Sequence, residues 1–413
     1  MTDSITSYAE RLSSLAPKAL LPDVLRRILL KRLAGLSEGA ILLCEPNREP
    51  VRLGAADASP IRVDIHDPAF YGYACLGGSV GLGEAYMLDL WSTPDLVGVT
   101  RLLIRNSAQL EALDEGLARL RLPLLKLFEW QHRNDPRRSR RNIAAHYDLG
   151  NDFFRLFLDR SMTYSSAIYT APDDTLERAQ FNKLDTICRK LDLGPGDHVV
   201  EIGSGWGSFA LHAAGRYGAR VTTTTISREQ HRLASERVAE AGLSDRVEVL
   251  LADYRELQGC YDKLVSIEMI EAVGHAFYPV YLQTCARLLK PRGRALIQAI
   301  TCADQRYEAY RASSDFIRRY IFPGGNLPSV THLLDVATAH TDLRLVHLED
   351  FSQDYARTLA EWRSRFWQRN AEVRALGYGE RFIRMWDFYL AICEAGFAEH
   401  YNSVVHLMFA RQA

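Results

Sequence analysis

The run Val199-Val200-Glu201-Ile202-Gly203-Ser204-Gly205-Trp206-Gly207 constrains this chain more than any other stretch. A short apolar segment ends at an acid, glycines follow at alternate positions, and a helical run, Ser208–Tyr217, comes next. Glycines at 203, 205 and 207 let a backbone turn tightly and approach a ligand closely. From about Gly194 onward the pattern alternates between strand and helix. The strand candidates are His198–Ile202, Arg220–Thr225, Val247–Leu251, Lys263–Ile267 and Arg294–Ile300, with helical runs such as Arg228–Ala241 and Phe277–Leu289 between them. That alternation implies a parallel sheet with helices on both faces. Two later runs, Leu343–Leu348 and Val404–Ala410, read as final strands forming an antiparallel pair.

The loop spacing is GxGxG, not the GxGxxG of dinucleotide sites, and the acid precedes the first glycine. This arrangement suits S-adenosylmethionine: its amino group needs an acceptor such as Glu201, and no pyrophosphate has to be cradled. Thr225-Ile226-Ser227-Arg228-Glu229-Gln230 follows the second strand, where an acid usually holds the ribose; here hydroxyl and amide groups take its place. After the third strand, Asp253 offers an acceptor for an adenine amino group and Tyr254 a ring to lie against the base. The expected fold is therefore α/β, a doubly wound Rossmann-like class I S-adenosylmethionine methyltransferase domain.

At 413 residues the chain exceeds what one core usually organises, so a second domain is expected. The catalytic domain is assigned to 143–413, an Arg-rich linker to 133–142, and a smaller N-terminal α+β or helical domain to 1–132. Fifty basic residues nearly balance 51 acidic ones, which points away from nucleic acid and leaves any electrostatic targeting local. Seven scattered cysteines show no metal-ligand spacing, so no metal site is expected and a reducing, cytoplasmic setting fits. No signal peptide is seen, and no apolar run reaches the roughly 18 residues of a membrane span. Residues 18–36 read as an amphipathic helix that faces the core or, alternatively, anionic lipid. The glycine-rich stretch 77–86 reads as a tight bend into a helix. The arginines of 133–142 read as a solvated hinge or a phospholipid-headgroup contact.

With these residues in view, the chain resembles the cyclopropane fatty acid synthase family, including the related mycolic acid cyclopropane synthases. The resemblance spans roughly residues 140–412. It rests on His146-Tyr-Asp-Leu-Gly-Asn-Asp-Phe-Phe154, Met162-Thr-Tyr-Ser-Ser-Ala167, Glu268-Met-Ile-Glu-Ala-Val-Gly274, Tyr320-Ile-Phe-Pro-Gly-Gly-Asn-Leu-Pro-Ser329 and Asp354-Tyr355. It extends more loosely to Gly81–Met87 and Trp91. The resemblance implies that Tyr164, Ser165, Gly203, Gly205, Thr225, Gln230, Asp253 and Tyr254 line the cofactor pocket. It also implies a bicarbonate ion held by Ser166, Glu271, Gln298, the backbone of Ile300, and Tyr355. Ser166 stands where a cysteine is usual, Gln298 where a histidine is usual, and Ala272 replaces a histidine. The family further implies a homodimer.

The chemistry this resemblance implies is transfer of a methyl(ene) group from S-adenosylmethionine to the cis double bond of an unsaturated phospholipid acyl chain. Ring closure to a cyclopropane occurs when bicarbonate removes a proton from the carbocation stage. The alternative product is methyl-branched or methylene, without a ring. The enzyme would work peripherally at the inner membrane face. The insert 304–327 is expected to hold the acyl chain, with Phe316, Tyr320 and Phe322 among its aromatic walls. Glu271 is read as the residue that orients the ion, and Glu268, one turn earlier, as structural. Two competing classes are a lipid-binding scaffold with a vestigial cofactor fold and a methyltransferase for a small polar nucleophile.

Overall fold

A computed structural model of the chain describes residues 22–107 and 149–412. The Arg-rich run 133–142, the domain boundary expected at 132 and His146–Asp148 lie outside the described residues. The chain divides into two compact units, Met1–Leu124 with Tyr378–Ala395, and Leu125–Gly377 with Gly396–Ala413. A C-terminal segment thus groups with the N-terminal unit.

The first unit is α+β. Helix α1 (Pro22–Leu33) buries Leu25, Leu29 and Leu33, one row at four-residue spacing. Strands β1 (Ala40–Cys44), β2 (Val51–Gly54), β3 (Pro60–Ile65) and β4 (Trp91–Ser92) form a sheet in the order β2-β1-β3-β4. Helix α2 (Ala69–Met87) contains the glycine-rich stretch, and Gly78 (φ 55°, ψ −140°) breaks it into two helical pieces. The bend expected from those glycines is this kink, and the chain packs so closely there that a Cβ at Gly81 would stand 2.1 Å from the carbonyl oxygen of Tyr73. Helix α3 (Leu96–Arg105) begins at Asp95, whose side chain accepts from the Gly98 N–H.

The second unit carries α4 (Asn151–Arg155), α5 (Leu176–Leu191), β5 (His198–Ile202), α6 (Ser208–Tyr217), β6 (Arg220–Thr225), α7 (Arg228–Glu240), β7 (Val247–Leu251) and β8 (Tyr261–Ile267). It continues with α8 (Tyr278–Leu288), β9 (Leu289–Cys302), α9 (Tyr307–Ala312), α10 (Phe316–Tyr320), α11 (Val330–His340), β10 (Leu343–Asp350), α12 (Ser352–Gln368), α13 (Asn370–Ala375) and β11 (Asn402–Arg411). Its seven-stranded sheet runs β10-β11-β9-β8-β5-β6-β7. Strands β5 to β9 pair in parallel, and β11 is antiparallel to both β9 and β10.

Strand periodicity sorts the core into two layers. Val200, Ile202, Leu264, Ala295 and Ile297 join the cluster beneath α8 and α11. Their sequence neighbours Val199, Val265 and Leu296 join α5 and α6 on the other face. This is the doubly wound Rossmann-like class I arrangement expected from the alternation. Chain order reverses at β5, between β8 and β6, which is where such sheets open a crevice at the strands' carboxyl ends. Among the described residues no helix is long and apolar enough to cross a membrane.

Candidate active site

The glycine loop leaves β5 at that reversal. Gly203, Gly205 and Gly207 have φ of +95°, +49° and +87°, conformations that side-chain-bearing residues rarely adopt. A Cβ on Gly205 would meet nothing within 4 Å, whereas one on Gly203 would press on Met269 Cγ at 3.1 Å. The loop is therefore open at 205 and closed at 203 against the segment that follows β8. Trp206 is buried and donates its indole N–H to Asn151 Oδ1 at 2.7 Å, and Phe154 lies 5.1 Å from its ring. That contact brings the 149–154 motif onto the loop.

The other residues expected around the cofactor divide into two groups. Thr225, at the end of β6, donates its hydroxyl to Oε1 of Gln230 in the first turn of α7 (2.8 Å). Ser165 accepts from the Lys183 ammonium at 2.6 Å. Tyr164 stands in an aromatic wall, 5.3 Å from Phe154, 5.2 Å from Trp362 and 6.5 Å from Phe322. Glu201 accepts from the hydroxyl of Thr223, its register neighbour on β6, at 2.6 Å and is 2% exposed. Two expectations do not match the geometry. Asp253 is engaged by Arg255, at 2.7 Å between Oδ2 and Nη2, and Tyr254 packs into the core against Tyr281. Its ring is core packing because the turn after β7 directs it under the sheet, where burial outweighs exposure to a ligand.

The largest departure concerns Glu268, expected to be structural. Its Oε1 accepts from the Ser166 N–H (2.8 Å) and from Gln298 Nε2 (2.8 Å), and its Oε2 accepts from the Tyr355 hydroxyl (2.7 Å). Helix α12 supplies Tyr355 from a face that also carries Thr358, Leu359 and Trp362, all buried. Thr358 Oγ1 accepts the Ala167 N–H at 3.1 Å, which docks the 163–167 segment on the same helix. Gln298 lies on β9 with 0% exposure, and its Oε1 is bonded to His406 Nε2 at 3.0 Å. Burial lowers the affinity of His406 for a proton, so its neutral ring fixes the Gln298 amide with the NH2 toward Glu268.

Glu271 follows β8 and takes the backbone N–H of Ile300 on Oε1, while its Oε2 is buried without a hydrogen-bond partner. Desolvation, and then the charge of Glu268, push its carboxyl up to about 8. Burial also raises Glu268, against hydrogen bonds from Tyr355 and Ser166. Both carboxyls are thus held above the ordinary carboxylate range, and Glu268 has more hydrogen bonds that favour its charged form than Glu271 has. Asn326 donates its N–H to the Glu271 carbonyl (2.8 Å), which ties the end of the 304–327 insert over this pair. Within the insert, Phe322 reaches the aromatic wall, while Phe316 and Tyr320 pack on each other at 5.0 Å.

The donors assigned to a bicarbonate ion are thereby occupied. The Ser166 N–H, Gln298 and Tyr355 end on Glu268, Ile300 ends on Glu271, and the Ser166 hydroxyl donates to the Ala167 carbonyl at 3.0 Å. The residues present do not fit the ion, because a protein carboxylate already fills its hydrogen-bonding role.

Lys183 and Gln180 belong to the site although no motif marks them. Both are 0% exposed; Gln180 Nε2 donates to the Ser165 carbonyl at 2.9 Å, and burial brings the Lys183 ammonium down to about 8. The signal that exposes them is a lysine on the apolar face of α5, in register with Leu176, Ala179, Ile187 and Leu191.

Comparison with known proteins identifies the family. Residues 134–407 match the family described as mycolic acid cyclopropane synthetase. The chain is 42% identical over 370 residues to the tuberculostearic acid methyltransferase UfaA1 of Mycobacterium tuberculosis, covering 87% of this chain and 85% of that protein. It is 36% identical over 354 residues to the cyclopropane-fatty-acyl-phospholipid synthase of Escherichia coli strain K12, covering 86% and 89%. The structure of the mycolic acid cyclopropane synthase CmaA1 complexed with SAH and CTAB matches with a TM-score of 0.62 at 31% identity, over 66% of this chain and 98% of that one. A match of this extent, on the sheet and loop described above, establishes that the chain belongs to the mycolic acid cyclopropane synthetase family.

Proposed function

We propose that this protein transfers a methyl group from S-adenosylmethionine to the double bond of an unsaturated phospholipid acyl chain and then removes a proton, closing a cyclopropane. The observation that carries this reading is a pair of buried carboxyls, Glu268 held by Ser166, Gln298 and Tyr355 and Glu271 by Ile300, beside an aromatic wall and one side chain from the glycine loop. O- or N-methylation also needs a base but leaves no carbocation to shelter, whereas an alkene needs both the base and the rings. Its π electrons form the new C–C bond, the donor sulfur leaves with the C–S pair, and the cation that remains needs a dry, electron-rich surround and a base. Tyr164, Trp362 and Phe322 offer the rings. Gly203, Gly205, Thr225, Gln230, Tyr164 and Ser165 would hold the donor, whose sulfonium makes its methyl group electrophilic. Phe322 and the neighbouring insert would hold the chain, with access from a membrane surface; peripheral attachment to the cytoplasmic face and a homodimer belong to the same reading.

A second product is favoured by one observation, the 42% identity to a tuberculostearic acid methyltransferase. A 1,2-hydride shift that moves the cation to the methyl-bearing carbon, followed by proton loss from the same methyl, gives a methylene branch on the chain instead of a ring. The experiment is incubation of the purified protein with S-adenosylmethionine and vesicles of monounsaturated phospholipid, followed by mass spectrometry and proton NMR of the fatty-acid methyl esters. The expected result is gain of one CH2 with high-field cyclopropane protons. Vinylidene protons select the second product, and no added carbon removes both.

A further inference from the structure

We propose that Glu268 itself is the base that takes the proton from the transferred methyl, in place of a bound inorganic anion. This rests on the function proposed above. A carboxylate and a bicarbonate ion share a planar, singly charged O–C–O group that accepts in the same directions. Here the Ser166 N–H, Gln298 Nε2 and Tyr355 hydroxyl, all directed at one anion, converge on the two oxygens of Glu268 at 2.7–2.8 Å. No donor of the set is left over for a second anion, since Ile300 and the Ser166 hydroxyl are engaged elsewhere.

The backbone supports the same conclusion. Glu268 has φ +49°, a left-handed conformation that a non-glycine residue keeps only where the surroundings enforce it. It stands one residue past β8, and its N–H is held by the Gln298 carbonyl at 2.8 Å. The twist turns the side chain of a strand-end residue toward Tyr355 and Ser166. Serine and glutamine at 166 and 298 become intelligible as well. With a tethered carboxylate present, Gln298 needs only to donate an N–H, and His406 fixes it in that orientation. Glu271, uncharged while it keeps its proton, adds no competing anion, and buried Lys183 offsets the charge of Glu268.

The step balances without a further reactant. The C–H pair of the new methyl becomes the third C–C bond of the ring, the proton passes to Glu268, and Glu268 yields it to water on product release. In the methylene outcome the same C–H pair becomes the new π bond.

The test uses the full-length protein in buffer depleted of carbon dioxide. Wild-type turnover is expected to be insensitive to added bicarbonate. Glu268→Gln is expected to lower turnover about 100-fold or more while changing affinity for S-adenosylhomocysteine by less than about 3-fold. Glu268→Gly, which also relieves the backbone, opens the anion position and is expected to regain turnover with added bicarbonate. Direct observation by 13C NMR of labelled bicarbonate should show saturable binding to Glu268→Gly and none to wild type. Bicarbonate-dependent wild-type turnover, saturable wild-type binding, or Glu268→Gln retaining more than about a third of turnover overturns the proposal. If wild type methylates no lipid, the proposed function falls, and the NMR arm still reports whether Glu268 or an ion occupies the position.

Discussion

Glu268 and Glu271 lie three residues apart and differ in what surrounds them. Glu268 is held by three donors that favour its charged form, whereas Glu271 has one backbone donor and an unpartnered oxygen. Environment therefore assigns the negative charge to Glu268 and the proton to Glu271. Tyr355 is the partner whose removal reads this out. Its hydroxyl lowers the carboxyl of Glu268 against the larger effect of burial. Tyr355→Phe is expected to move the acid limb of the kcat profile to higher pH, because a raised carboxyl must lose its proton before it can act. Turnover should fall most at low pH and recover partly as pH rises. A uniformly depressed profile with an unmoved limb would show that Tyr355 serves packing alone.

Among elements, the β5–β6 pair buries a carboxyl that no strand pattern requires. Glu201 sits between Val200 and Ile202, accepts from Thr223 on the adjacent strand, and is pushed by desolvation up to about 8. The folded state therefore holds a proton that the unfolded chain releases near the ordinary carboxyl value. Its stabilising contribution is complete below about pH 4.5 and is lost as pH rises to about 8, with a slope of up to about 1.4 kcal/mol per unit. Glu201→Gln should flatten that decline, measured as urea midpoints at pH 5, 7 and 9; an unchanged slope would rule out a buried proton on this side chain. Helices α5 and α12 show a related principle. Each places polar groups on its buried face, Lys183 and Gln180 on one and Tyr355 and Thr358 on the other, and each of those groups has work in the site.

For the molecule as a whole, the order of strands makes the last one indispensable. β11 lies between β9 and β10 and pairs with both. It buries Val404, Val405, Leu407 and Phe409 to 2% exposure or less. Four such side chains at about 1.5–3 kcal/mol each amount to a typical total stability of about 5–15 kcal/mol. A chain ending at residue 400 should therefore lose the cooperative thermal transition of the second unit, followed by circular dichroism. Retention of that transition at the full-length midpoint would show that β9 and β10 hold without their shared neighbour.

The second unit was legible in the order of residues because its determinants are local. Strand runs, the glycine loop and the helix after it depend on periodicity and on φ values that few residues other than glycine tolerate, and both are written at short range. Tyr164, Glu271 and Tyr355 were legible through ordered motifs and Gln298 through its position alone; in the fold they lie in the loop before α5, after β8, on α12 and on β9. What the linear chain could not show is which groups spend their hydrogen bonds on one another. Glu268 gathers donors from residues 166, 298 and 355, and Asp253 is engaged by Arg255, while Tyr254 turns into the core. Glu268 gains its donors in competition among segments 30, 87 and 102 residues away along the chain, whereas Asp253 and Arg255 are a local pair two residues apart. Only folding brings the competitors within 3 Å, so the identity of the anion at the centre of the site was decided by the tertiary structure.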